Sequence, residues 1–286
     1  MPILGRPDHD STRSGDLRVA TLNPWQRYGD WPAPRAVLNN GLGKLQPDLV
    51  AFVEVVKTDD YDQTEDLLGP DYHLVHQRTG LVGGGICISI ASRWPVARVH
   101  EVDLHVTPRT VGSNCMTLAA EVDVPEPVGP LLFLCTNPSW QLRLEHEREL
   151  QSVATARFVE ALLDRRALHV VLAGDFDATP EAASVRFWRG RQSLHGVSVC
   201  YRDAWECTHP GEDGHTFTRA NPLVAHGETA WDDARRIDYL LVRSGDHGPT
   251  LEVVACARIF DQPVDGVWAS DHFGVTADLA VPSRSA

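Results

Sequence analysis

The sequence predicts an α+β fold in which two β-sheets pack face to face with helices outside. Three observations predict it. About ten strand-like runs stand against three or four helical ones. Half of those runs are apolar throughout, as strands covered on both faces are. The rest alternate apolar with polar residues, as strands with one wet face do. No linker, charge block or low-complexity tract divides the 286 residues. A single domain is therefore expected over residues 17–286, after a loose polar arm at 1–16.

The elements follow in order. LRVATLN (17–23) reads as the first strand. PAPRAVLNNGLGKL (32–45) is a helix opened by its prolines, with Gly41 and Gly43 weakening its end. DLVAFVEVV (48–56) is a second buried strand, and DDYDQTEDLLG (59–69) a short acidic helix stopped by Gly69. YHLVHQ (72–77) and GGGICISIAS (83–92) read as a hairpin pair. ARVHEVDLHV (97–106) and CMTLAAEVDV (115–124) alternate as half-buried strands do. LLFLCTN (131–137) precedes the longest helix, within residues 142–166. There Leu150, Val153, Ala154, Phe158, Ala161 and Leu162 recur at helical spacing. LHVVLAGDF (168–176) is the next strand, with Thr179 and Pro180 expected to cap and open a helix. RRIDYLLVR (235–243), LEVVACARIF (251–260) and FGVTADLAV (273–281) close the chain as strands, and residues 220–234 read as a loop.

Composition narrows the function. With 43% hydrophobic and 23% charged residues the chain is ordinary globular protein. A formal net charge of −13 disfavours long non-specific tracking on nucleic acid. No apolar run has the length of a signal-peptide core or a membrane span. Six scattered cysteines with no C-x-x-C read as free thiols in a cytoplasmic protein. No protein partner is inferable.

Polar residues recur at the ends of these apolar strands. Asn23, Glu54, Asn137, Asp175 with Asp177, Asp238, and Asp271 with His272 all sit there. Burying any of them without a partner costs a few kcal/mol, and a charge more. Taken singly, each could be a turn or capping residue. Gathered at one rim, they could satisfy each other around a cation.

Their order resembles the endonuclease/exonuclease/phosphatase superfamily. The blocks TLN, LVAFVEV, GGGICISIASRWPV, AGDFDATPE, RRIDYLLVR and SDHFGV span nearly the whole chain. That superfamily includes deoxyribonucleases, abasic-site endonucleases, inositol-phosphate phosphatases, sphingomyelinases and deadenylases. The resemblance implies a four-layer α/β/β/α sandwich with two mixed sheets. It also implies Mg²⁺-dependent hydrolysis of phosphate esters, with Mn²⁺ an alternative. Mg²⁺ takes oxygen ligands, typically one or two carboxylates plus water and phosphate. Glu54 is then the first candidate ligand, with Asn23 beside it and Asp271 as a further ligand. His272 would stabilise charge on the phosphate, Asp238 would orient His272, and Asp175 would position or deprotonate the attacking water.

Two positions depart from the family pattern. Asp177 stands where members usually carry Asn. A second negative charge near a phosphate costs roughly 4 kcal/mol at about 4 Å and an effective dielectric of about 20, before compensation. A second metal ion, a protonated Asp177 or a weakly anionic substrate would offset it. Asn137 stands where many members carry a histidine able to protonate the leaving group; an amide can only hydrogen-bond. The reading is a phosphodiesterase or phosphatase acting on a compact phosphate ester, a nucleotide-like one included, with short nucleic acid as the alternative substrate of a nuclease. A site repurposed for non-phosphoester chemistry or metal-dependent binding is the reading from another class. Aromatic and basic residues expected near the rim, Trp25, Tyr28, Trp140 and Arg143 among them, would wall an apolar-tailed substrate or stack bases.

Overall fold

Side chains alternate between the two faces of a strand, and that period of two sorts this molecule into layers. The structure, a computed structural model, describes residues 15–282 except 82, 165 and 167. Its strands are β1 (Leu17–Leu22), β2 (Leu49–Val56), β3 (His73–His76), β4 (Ile86–Ser92), β5 (Val96–Asp103), β6 (Met116–Val122) and β7 (Leu131–Asn137). They continue with β8 (His169–Asp175), β9 (Tyr201–Asp203), β10 (Asp238–Gly245), β11 (Gly248–Pro249), β12 (Glu252–Ile259) and β13 (Gly274–Ala280). The helices are α1 (Pro32–Leu45), α2 (Gln63–Leu68), α3 (Glu145–Leu163), α4 (Ala183–Trp188), α5 (Ala204–Thr208) and α6 (Pro222–Ala225).

One sheet runs β12-β13-β1-β2-β4-β3 and the other β11-β10-β8-β7-β6-β5, with β9 added on β10. Both are mixed: β1 and β2 pair in parallel, as do β7 and β8. Leu17 and Val19 of β1, Phe133 and Cys135 of β7, and Val171 and Ala173 of β8 meet between the sheets. The opposite parity faces outward. Ala20, Leu22, Val50 and Phe52 pack with Val37, Leu38 and Leu42 of α1 and Leu67 of α2. Leu132, Leu134, Val170 and Leu172 pack with Val153, Ala156 and Val159 of α3 and Val185 of α4. The expected four layers are therefore present, helices outside two packed sheets.

Several local expectations need correction. Helix α3 buries Val153, Ala156, Val159 and Leu163 together with Gln151, Ser152 and Thr155, while Ala161 is exposed. Counting only apolar residues rotated the stripe. The polar members are buried because each has a partner: Gln151 donates to the Leu104 carbonyl at 2.9 Å, Thr155 bonds Thr117 at 3.0 Å, and Trp188 donates to Ser152 at 3.2 Å. Thr179 and Pro180 form a turn closed by the Ala182 N–H on the Thr179 carbonyl, and α4 starts three residues beyond the proline. The short β9, β11, α5 and α6 carry no periodicity long enough to read. Most of the expected arm, residues 1–14, lies outside the described residues. Asp16 already lies beside the end of β13, accepting from the Val281 N–H at 3.2 Å.

Candidate active site

Four predicted site residues continue the inward-facing row of their own strand. Leu17, Val19 and Thr21 lead to Asn23; Leu131, Phe133 and Cys135 lead to Asn137; Val171 and Ala173 lead to Asp175; Val242 and Leu240 lead back to Asp238. All four are buried. One rung of the second sheet crosses the site, with Met116 opposite Asn137 and Asp175 opposite Asp238. Gly174 makes that rung possible: a Cβ there would lie 2.0 Å from the Thr136 carbonyl oxygen, at φ +143°.

Glu54 arrives by a different route. Val50 and Phe52 face the outer helices, and simple alternation would send Glu54 after them. A bulge interrupts the β2–β4 register between Phe52 and Val55, and Glu54 takes φ +54° there. Val53 then lies between the sheets and Val55 in the outer layer, so the bulge re-aims the residue between them. The half-buried Glu54 carboxylate accepts from Gln26 Nε2 at 3.3 Å. Its charge is felt by both Asp177 and Asp271. Trp25, Gln26 and Asp177 share the left-handed conformation, at φ +57°, +56° and +50°. Strain of this kind concentrates at functional sites.

His272 sits between two carboxylates. Its Nδ1 lies 3.1 Å from Asp238 Oδ2 and 3.6 Å from Asp175 Oδ2, and its ring packs on Phe217 with centroids 4.9 Å apart. Asn23 Nδ2 donates to the same Asp175 oxygen at 3.4 Å, joining the two sheets. The Ser270 hydroxyl donates to the Asn23 carbonyl at 2.7 Å and accepts from the His272 N–H at 3.2 Å. Asp271 Oδ1 is 3.2 Å from that hydroxyl. Thus Asn23, Asp175, Asp238 and His272 are joined directly, Asp271 through the Ser270 hydroxyl, and Asp177 through its N–H on Asp175 Oδ1 at 3.0 Å. Asn137 lies at the same rim with its amide turned aside, donating to the Asn114 carbonyl at 2.9 Å.

The electrostatics follow from this crowding. Burial alone would lower the His272 pKa, but Asp238 and Asp175 outweigh it and hold the value well above the ordinary one. Burial, then Asp177 and Asp238, push Asp175 well up against the opposing pull of His272. Asp177 rises to about 6 through burial, with His272 and Arg235 pulling down and Glu54 pushing up. Asp271 is raised by burial against His272. Asp238 Oδ1 is buried without a hydrogen-bond partner.

Asp175, Asp238 and His272 present ligand-type atoms within 4.8 Å of one another. Glu54, Asn23 and Asp271 add oxygen donors, the set a hard divalent cation takes. Mutually repelling carboxylates gathered at one rim suit such an ion. Sequence reasoning missed three supports. Thr216 Oγ1 accepts from the Ile237 and Asp238 N–H groups at 3.1 and 3.2 Å. Asn221 Nδ2 donates to the Ser270 carbonyl at 2.8 Å, and Gln26 contacts Glu54. All three come from loops, which carry no periodic signal. A neighbouring cavity of 310 Å³, lined by Thr179, Arg189, Trp205, His209 and Arg235, contains none of the predicted site residues.

The Endonuclease/Exonuclease/phosphatase family model matches residues 26–272. A Caenorhabditis elegans protein named "Putative neutral sphingomyelinase" is 24% identical, over 94% of this chain and 67% of its own length. The solved endonuclease/exonuclease/phosphatase from Bacteroides vulgatus superposes with a TM-score of 0.68 at 20% identity, covering 93% of this chain and 99% of that one. D. rerio TDP2 complexed with single-strand DNA product gives 0.68 at 19% identity, covering 92% and 98%.

Proposed function

The chain belongs to the endonuclease/exonuclease/phosphatase family and is a metal-dependent phosphoesterase; within that class we propose that it uses Mg²⁺ to hydrolyse a compact phosphate ester through the centre at Asp175, His272 and Asp238. One observation carries this reading most directly. His272 is held by Asp238 at 3.1 Å beside Asp175 at 3.6 Å, and Asn23 ties that aspartate to the other sheet. No helix among the described residues is long and apolar enough to cross a membrane. Six free cysteines suit the reducing cytoplasm.

Glu54, Asn23 and Asp271 are the proposed ligands. When bound, the cation offsets the carboxylate charge and polarises the phosphate. A protonated His272 is no ligand, so the Asp175–His272–Asp238 group acts as a hydrogen-bonded unit rather than a chelate. Asp238 accepts a hydrogen bond from the Nδ1–H of His272, which leaves the Nε2–H to donate to a phosphate oxygen where negative charge builds up. Asp175 orients the attacking water and accepts its proton. Asp177, raised to about 6, is ionised at neutral pH and sheds its repulsion against the phosphate only as the pH falls through that value. Asn137 holds the rim in place and cannot protonate the leaving group, which favours a substrate with a good leaving group.

Hydrolysis of a short nucleic acid is the second reading, favoured by the single-strand DNA product in the similar D. rerio TDP2 structure. The purified chain is assayed with Mg²⁺, Mn²⁺ or EDTA on an aryl phosphodiester, an aryl phosphomonoester, an abasic oligonucleotide and plasmid DNA. Metal-dependent turnover of an aryl ester with inert nucleic acids supports the first reading. Cleavage of the nucleic acids alone supports the second. No turnover of any substrate overturns both.

A further inference from the structure

Nine large hydrophobic side chains are exposed among the described residues. Seven of them, Tyr28, Leu81, Val111, Trp140, Leu142, Trp231 and Val264, lie on loops at the strand ends that carry the catalytic centre. Four stand on three neighbouring loops: Leu81 is 50% exposed, Val111 73%, Trp140 60% and Leu142 63%. Those loops, 77–85, 104–115 and 138–144, are fastened to one another. Gln77 Nε2 donates to Asn114 Oδ1 at 2.9 Å, Gln141 Nε2 to Ser113 Oγ at 3.1 Å, and Arg109 Nη2 to the Arg143 carbonyl at 3.3 Å. The apolar tips therefore stand on one fastened set of loops rather than on separate elements.

Charge marks the same patch. The three loops carry Arg78, Arg109 and Arg143 and no aspartate or glutamate, in a chain of net charge −13. All three arginines are exposed. Nearby carboxylates are engaged: Glu101 accepts from the Arg78 and Thr79 N–H groups, and Glu147 pairs with Arg109 at 3.1 Å. A contiguous exposed apolar patch on a monomer marks an interaction site.

We propose that this patch docks the protein on an anionic lipid surface, with Leu81, Val111, Trp140 and Leu142 entering the interface and Arg78 and Arg143 meeting the headgroups. Tryptophan favours the membrane–water boundary, and cationic side chains gain from anionic lipid. Single-stranded nucleic acid fits less well, because it binds by stacking on aromatic rings and three of the four tips are aliphatic. Docking turns the catalytic edge toward the headgroups. That the substrate is a phosphate ester presented at that surface rests on the proposed function; the docking itself does not.

The test is sedimentation of the intact chain with vesicles of phosphatidylcholine alone, and of phosphatidylcholine mixed with phosphatidylserine. The protein is expected to sediment with the mixed vesicles and to be released by high salt. Arg78→Glu and Arg143→Glu should each weaken binding roughly fivefold or more. The Val111→Ser, Leu142→Ser double variant should lose binding while its melting temperature and its turnover of a soluble aryl phosphodiester stay at wild-type level. No association with phosphatidylserine vesicles overturns the proposal. So does binding of a single-stranded oligonucleotide, lost in the same variants, by a protein that ignores vesicles. Vesicle binding without any hydrolysis leaves the docking standing and sinks the catalytic reading instead.

Discussion

Asp238 faces Asp175 directly across the antiparallel β8–β10 ladder, two buried carboxylates with the His272 imidazole bridging them. Like charges directly opposite each other destabilise a sheet. His272 is therefore a structural counter-charge as well as the proposed hydrogen-bond donor to the phosphate. We expect His272→Ala to reduce kcat by about 10²-fold or more. It should also lower stability by roughly 3 kcal/mol, because it leaves buried charge uncompensated. Asp238→Asn should lose comparable activity at a smaller cost in stability, since it removes one of the repelling charges. Urea unfolding of both variants separates the two effects.

Glu54→Gly separates catalysis from stability in the opposite direction. Glycine takes the left-handed conformation at φ +54° without the penalty an L side chain meets. It also removes a charge that repels Asp177 and Asp271. Without metal, the variant should melt at or above the wild-type temperature, with a gain of up to about 1 kcal/mol. Calorimetry should find its Mg²⁺ or Mn²⁺ affinity strongly reduced. Unchanged affinity would remove Glu54 from the ligand set.

Asp177→Asn restores the amide usual in the family at a left-handed position that asparagine tolerates well. It removes negative charge beside the phosphate and adds a donor. We expect kcat/KM on an aryl phosphodiester to rise, by roughly tenfold if about 1.4 kcal/mol of repulsion is relieved. The gain should be larger above pH 6, where the wild-type carboxyl ionises, than below it. A flat comparison across pH would show that Asp177 does not oppose the substrate.

Glu121 supplies an acid-sensitive clamp far from the centre. Arg166 grips its carboxylate with two bonds at 2.8 and 2.9 Å, and His100 adds a third at 3.1 Å. The Arg166 bonds come first among the causes that bring its pKa from 4.5 to about 2. A depressed carboxyl pKa means stability that is present above the unfolded value and lost as pH falls through the folded one. The window is therefore pH 4.5 down to 2. With solvent screening of the part-exposed arginine, the contribution is about 1–2 kcal/mol. Glu121→Gln should be less stable than wild type at pH 7 and equal to it near pH 2, as read by chemical denaturation.

Gly174→Ala tests the backbone under the site. The added methyl meets the Thr136 carbonyl at 2.0 Å and the residue sits at φ +143°. Strain and overlap together should cost roughly 3 kcal/mol or more. A variant that melts with the wild type would contradict this packing of β8 on β7.

Much of this protein was legible in its residues. Apolar runs and alternation marked every long strand, because burial on one or both faces leaves a period-two signature. The same parity carried Asn23, Asn137, Asp175 and Asp238 to the inner side of their strand ends, and the order of the blocks carried the family. The tertiary structure decided the rest. The bulge that brings Glu54 off the outer layer depends on pairing with β4, which a local sequence pattern does not encode. The buried face of α3 depends on polar partners from other elements, so an apolar count misplaced it. Thr216 and Asn221 act through single hydrogen bonds from irregular loops, and the exposed patch beside Asn137 exists because three loops distant in sequence are tied together. Periodicity reports what a strand buries; which side chains meet is fixed by contacts between segments far apart in the chain.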